Sequence, residues 1–206
     1  MDLGLANLRA LITGASRGLG FSIAKLLCEE GALVCINGRD EERLKAAAEE
    51  IKKSTRREVK TAEGDVTKAE DVKRIIAKAV AELDGLDILV TNSGGPPAGK
   101  FEDLYEEQWI QAFELTFLSH VRLIKEALPN LKRSEHACVL TITSYSVKQP
   151  IPHLILSNSI RAATVGLTKS LALELGNEGI RFNSIMPGWT KTERVKELLS
   201  YRAQIN

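Results

Sequence analysis

The residues best placed for chemistry are Thr13-Gly14-Ala15-Ser16-Arg17-Gly18-Leu19-Gly20. They lie between an apolar run, Leu8 to Ile12, and a helical pattern of Ile23, Ala24, Leu26 and Leu27. Glycine allows a tight turn and a close backbone approach, and the unpaired N–H groups at a helix start attract phosphate. A strand, a glycine turn and a helix in this order make an anion site from backbone, which suits a nucleotide pyrophosphate. The spacing is Gly-x-x-x-Gly-x-Gly, neither the G-x-G-x-x-G fingerprint nor the GK[ST] phosphate loop. Taken alone, the stretch also reads as a plain glycine-rich turn between a strand and a helix.

The chain has 206 residues, 44% hydrophobic and 27% charged, which suits one globular domain with a substantial core. Net charge is +1 with the two signs interspersed, so nothing favours nucleic acid or an anionic membrane, and a small-molecule partner is expected. The start, Met1-Asp2-Leu3-Gly4, lacks a basic region followed by an apolar run, and no stretch of about 18 apolar residues occurs. The expected location is the cytoplasm. Cys28, Cys35 and Cys138 are far apart in apolar segments and read as buried, reduced thiols; no spacing suggests a metal.

Elements able to position the glycine loop follow in alternation. Gly31 closes the first helix, and short apolar strands are expected at Ala32 to Asn37, Glu58 to Ala62, Asp87 to Thr91, Ala137 to Thr143 and Ile180 to Ile185. Between them lie helical stripes: Leu44, Ala47, Ala48 and Ile51; then Val72, Ile75, Ile76, Ala79, Val80 and Leu83, opened by a capping box at Thr67-Lys68-Ala69-Glu70. Glu107 to Arg133 carries Trp109, Phe113, Phe117, Val121, Ile124 and Leu128 at helical spacing, as core or dimer surface, with His120 a packed or surface residue. Continuous apolar strands alternating with helices predict an α/β fold: a single domain over residues 1–206, its doubly wound parallel sheet covered by helices on both faces. In that fold the end of the second strand meets the ribose, through an acid for free hydroxyls or an arginine for a 2′-phosphate. Here it reads Asn37-Gly38-Arg39-Asp40, so Arg39 and Arg17 point to NADP rather than NAD, while Asp40 caps the next helix. The alternative makes Arg39 an ordinary surface residue.

With Thr13 ahead of it, the glycine loop resembles the cofactor loop of the short-chain dehydrogenase/reductase family. Asp65-Val66, Asn92-Ser93-Gly94-Gly95, Gly166 to Ala172 and Met186-Pro187-Gly188-Trp189-Thr190-Lys191-Thr192 resemble further family segments in the family's order. The resemblance implies a Rossmann fold holding NADP through Gly14, Ser16, Arg17, Gly18, Leu19 and Gly20, with Arg39 at the 2′-phosphate. Gly38 occupies the place where NAD-preferring members carry an acid. It further implies that Asp65 and Val66 contact adenine, although Asp65 also reads as a turn cap. Asn92 would brace the sheet, Gly94 would let the backbone pass under the ribose, and Pro187, Gly188, Thr190 and Thr192 would meet the nicotinamide end. Family members continue into a substrate-covering helix, a last strand and an Asp-Gly-Gly stretch, which are expected to be missing here. A shortened protein and an incomplete record both fit.

The family's acid/base apparatus is a serine after the fifth strand, then a tyrosine and a lysine four apart on the next helix. The tyrosine moves the proton and the cofactor carries the hydride. Ser144 matches the serine. Counting back from Gly166 to Ala172 puts Ser157 at the tyrosine position and Arg161 at the lysine position, while Thr116 aligns with a frequent catalytic asparagine. A phenol titrates near pH 10 and can be brought lower, whereas a serine hydroxyl does not ionise so readily, and an arginine fork is not equivalent to an ammonium. Ser146 to Pro150 with Leu156 to Ser159 resembles a divergent branch labelled 3-oxoacyl-carrier-protein reductase-like. Replacement acids are Ser157 acting through water and Tyr145, whose side chain on an extended segment is expected to point away from that of Ser144. Two readings stand: an NADP(H)-dependent oxidoreductase of carbonyl or alcohol substrates, assembled as a dimer or tetramer, and a nucleotide-binding sensor or partner subunit that lost its chemistry. A third keeps the cofactor structurally in a lyase or isomerase.

Overall fold

Six segments form strands β1 (Arg9–Ile12), β2 (Leu33–Gly38), β3 (Val59–Glu63), β4 (Ile88–Thr91), β5 (Cys138–Ile142) and β6 (Arg181–Ile185), in a computed structural model describing residues 2–205. They pair in the order β3-β2-β1-β4-β5-β6, every pair parallel. β1 is central, with Ala10 in register with both Val34 and Ile88. The helices are α1 (Gly18–Glu29), α2 (Glu41–Thr55), α3 (Ala69–Leu83), α4 (Glu106–Phe113), α5 (Ser119–Leu131), α6 (Ile155–Leu175) and α7 (Glu193–Ile205).

Alternation along each strand divides the core between the two faces of the sheet. Leu11, Leu89 and Val139 pack with Ile75, Ile76, Leu123 and Leu131 of α3 and α5. Ala10, Ile12, Ile36 and Val90 pack with Ala24 and Cys28 of α1 and the Leu44, Ala47, Ala48, Ile51 stripe of α2. The doubly wound arrangement is as expected. At the end of α1, Gly31 adopts φ +95, donates to the Cys28 carbonyl at 3.1 Å, and lets Ala32 donate to Leu27 at 2.9 Å. Among the described residues, no helix is long and apolar enough to cross a membrane.

Three expectations about elements change. The capping box at Thr67 does not form: the N-cap of α3 is Lys68, the Thr67 hydroxyl donates to Asp65 Oδ1 at 2.8 Å, and the Asp65 N–H donates to Asp71 Oδ2 at 2.9 Å. Asp65 captured the threonine first. The helix expected over Glu107 to Arg133 is interrupted by a π segment, Glu114–Leu118, where the Thr116 and Ser119 hydroxyls donate to the carbonyls four residues back. A seventh helix, α7, follows β6 and lines the cleft, an element the sequence pattern did not suggest. Cys28 and Cys35 are buried free thiols, with Cys35 pushed up to about 12 chiefly by burial, while Cys138 is half-buried.

Candidate active site

The chain reverses direction of winding between β1 and β4, so the loops after their C-terminal ends diverge and leave a crevice. A cleft of about 460 Å³ opens there, lined from all six strand ends and from α7.

On the β1 side the glycine loop wraps against β4. Thr13 Oγ1 donates to the Asn92 carbonyl at 2.7 Å, and the Asn92 amide donates to the carbonyls of Thr13 and Gly14, each at 3.1 Å. Asn92 therefore braces the sheet. This contact is so close that a Cβ on Gly14, at φ +57, would lie 2.9 Å from Asn92, and one on Gly20 would lie 2.5 Å from the Gly14 carbonyl. Gly14 and Gly18 occupy left-handed backbone, the conformation glycine adopts without strain. No side chain caps α1 at its N-cap, Arg17, so its first-turn N–H groups face the cleft without a side-chain acceptor. Such an end accepts a phosphate.

At the end of β2, Ser16 packs on Gly38; a Cβ there would lie 3.2 Å from the serine's, leaving no room for an acid without a shift. Asp40 caps α2, accepting from Arg43 N at 3.0 Å. Arg17 and Arg39 both line the cleft; the Arg39 side chain is 74% exposed, and its guanidinium lies 3.8 Å from Asp65. Asp65 lines the cleft beside Val66 and also holds its turn, accepting from Thr67 N at 2.9 Å. The turn-cap reading of Asp65 is the one these hydrogen bonds bear out.

On the β5 side, Ser144, Ser157 and Arg161 meet in the cleft wall, although a 3-10 turn and a loop separate Ser144 from the other two, which lie on α6. Ser144 accepts from Ser146 N at 3.2 Å, and Ser157 lies in the first turn of α6. Arg161 is buried and, among the described residues, has no carboxylate partner. Its guanidinium donates to the carbonyls of Ile142 at 3.1 Å, Thr143 at 3.5 Å and Gly94 at 3.3 Å. Burial, and then the nearby Arg194, draw it down to about 10. Gly94 contributes that carbonyl; a Cβ there would touch only Leu115, at 3.9 Å, so no steric demand for glycine is evident. Thr116 is buried and turned into the helix, its carbonyl accepting from Thr164 at 2.7 Å. His120 is buried with neither ring nitrogen hydrogen-bonded, and burial, with a smaller push from Arg161, takes it down to about 3.

Pro187, Gly188, Thr190 and Thr192 follow β6 along the same cleft. Thr192 approaches the glycine loop, 3.7 Å from where a Cβ on Gly18 would sit. The expectation for Tyr145 is corrected. Extended backbone ends at Ser144, and residues Tyr145–Val147 form a 3-10 turn anchored by Tyr145 N donating to the Pro187 carbonyl at 3.1 Å. Tyr145 thereby joins Ser144 in lining the cleft. Sequence reasoning also missed Arg194 of α7, which packs over Gly95 and donates to the Pro96 carbonyl across the cleft. No local pattern in α7 announces that reach.

A parallel sheet with a glycine-braced crevice at its switch point defines a Rossmann-like protein of the doubly wound class. The family described as short chain dehydrogenase matches residues 9–203, and the chain belongs to it. A 3-oxoacyl-[acyl-carrier-protein] reductase of Chlamydia trachomatis is 31% identical over 94% of this chain and 78% of its own length. Among solved structures, L-sorbose reductase from Gluconobacter frateurii complexed with NADPH and L-sorbose superposes at TM-score 0.91 with 30% identity, covering 97% of this chain and 78% of that one. A short chain oxidoreductase from Pseudomonas aeruginosa, described as containing an atypical catalytic center, superposes at 0.90 with 28% identity, covering 95% and 75%. The chain is thus a member of an oxidoreductase family.

Proposed function

We propose that this protein is an NADP(H)-dependent oxidoreductase interconverting a carbonyl and an alcohol on a small molecule. The carrying observation is the cleft itself, where an uncapped helix start and two arginines meet around Gly38, a position with no acid. In this reading the α1 backbone, Ser16, Gly18, Leu19 and Gly20 hold the pyrophosphate, and Arg17 and Arg39 hold the 2′-phosphate. Asp65 and Val66 flank adenine. Pro187, Gly188, Thr190 and Thr192 position the nicotinamide, Asn92 and Gly94 shape the floor beneath the ribose, and Arg161 faces that ribose from behind Gly94. When bound, the reduced nicotinamide supplies a hydride. Ser144, whose oxygen already accepts from Ser146, keeps its own proton to orient a substrate oxygen. The NADPH complex of the sorbose reductase supports the cofactor assignment by likeness.

A second reading, a nucleotide-binding sensor or partner subunit, draws on Ser157 and on the commitment of Arg161 to three carbonyls. Assembly into a dimer or tetramer through α4 to α6 accords with exposed Ile110, Phe113 and Leu173 on those helices, and light scattering tests it. Titration of NADPH and NADH by fluorescence and thermal shift, then NADPH oxidation against a carbonyl panel, separates the readings. Tight NADPH binding with turnover is expected; tight binding without turnover transfers the assignment to the sensor or subunit.

A further inference from the structure

The altered acid/base pair leaves open which group delivers the proton. Ser157 stands at the tyrosine position but carries an alkyl hydroxyl, as do the other serines and threonines of the cleft. Arg161 keeps its N–H groups on the carbonyls of Ile142, Thr143 and Gly94. Glu197 of the α7 wall is paired with Arg194 at 3.4 Å. Tyr145 brings a phenol to the same cleft, held by its backbone bond to Pro187 and with its ring beside Gly188. Its oxygen accepts from Trp189 Nε1 at 3.0 Å. That geometry uses an acceptor position of the phenol and leaves its O–H to donate. It also places a donor where negative charge would develop.

We infer that Tyr145, backed by the Trp189 indole, is the proton donor of this active site, replacing the phenol absent from position 157. The inference rests on the oxidoreductase reading. As the hydride reaches the carbonyl carbon, the Tyr145 Oη–H bond breaks and an O–H bond forms on the substrate oxygen. The phenolate left behind keeps its hydrogen bond from Trp189 and regains a proton from water, since both side chains are partly exposed. In the oxidising direction the same atoms exchange in reverse.

The test pairs chemical modification with kinetics. N-acetylimidazole acetylates accessible phenols, and Tyr105, which is 74% exposed and outside the cleft, serves as the internal control. Peptide mapping is expected to find Tyr105 and Tyr145 acetylated in the free protein and, of these two, only Tyr145 protected by NADPH. Tyr145→Phe is expected to lower NADPH oxidation by roughly 10²- to 10⁴-fold while NADPH affinity stays within about twofold. Trp189→Phe is expected to cost about tenfold, the loss of one hydrogen bond to the phenolate, and Ser157→Ala less than Tyr145→Phe. Tyr145 left unmodified while Tyr105 reacts, or acetylated regardless of NADPH, overturns the inference. So does a Tyr145→Phe variant that turns over like its parent, or a Ser157→Ala variant that falls as far. NADPH binding with no turnover on any carbonyl overturns the oxidoreductase reading and this assignment with it. Protection of Tyr145 then distinguishes a silent cleft from a phenol that never faced the cofactor.

Discussion

At the N-terminal end of the sheet, Asp87 receives Arg9 N and Nε, each at 2.8 Å, Arg9 NH2 at 2.7 Å and Ser134 Oγ at 2.6 Å. Burial alone would raise this carboxyl, but those hydrogen bonds outweigh it and hold it near 2. At the C-terminal end, among the described residues, Arg161 has only carbonyls, His120 has no hydrogen-bond partner, and Gly14 and Gly20 sit closer to their neighbours than a Cβ allows. One end of the same strands satisfies its charges internally; the other leaves a helix start without a side-chain cap and an open cleft. Binding sites in parallel sheets collect at that second end because the strand-to-helix loops open there. Structural ion pairs are free to collect at the first.

Crowding the open end should have the largest effect. Gly20→Val drives side-chain carbon into the Gly14 carbonyl and is expected to weaken NADPH binding by about a hundredfold or more, read by fluorescence titration. Unchanged affinity would remove the glycine loop from the site.

His120 gives the next effect. Its folded value of about 3 lies below the ordinary 6.5, so between those values the unfolded chain binds a proton that the folded protein does not. Stability therefore falls as pH drops from about 6.5 to about 3, by up to about 1.4 kcal/mol per pH unit. His120→Leu is expected to flatten that slope in urea unfolding measured across the range, with parent and variant converging in slope above pH 7. Parallel slopes throughout would show that the ring is not held neutral.

The satisfied end should respond differently. Because the Asp87 carboxyl is depressed, its contribution is complete above about pH 3.8 and is lost as pH falls through about 2. Asp87→Asn is expected to cost about 2 kcal/mol at pH 7, with NADPH affinity intact, and the difference should vanish near pH 2. A loss of affinity equal to the loss of stability would erase the contrast between the ends. The smallest effect lies at the cleft rim, where Arg39→Ala should weaken NADPH about tenfold and leave NADH unchanged in paired titrations. Equal weakening of both would reject a 2′-phosphate role.

Strands, helices and the glycine loop were legible because apolar periodicity and glycine spacing act through nearest neighbours and the backbone. Three features were not. Thr67 was read as a cap, but Asp65 took its hydroxyl and Asp71 took the Asp65 N–H, a competition among three side chains that spacing cannot rank. The π segment depends on Thr164 of α6 reaching the Thr116 carbonyl as well as on hydroxyls within the helix. Arg194 reaches Pro96 from a helix ninety-eight residues away in sequence.

By itself, the sequence determined the doubly wound fold and the family. Each follows from residue type at a local spacing. Only the tertiary structure decided that Tyr145 enters the cleft. The Pro187 carbonyl, beyond the end of β6, accepts its N–H and anchors the turn at the end of β5, so its direction is set by a contact between strands rather than by alternation along one.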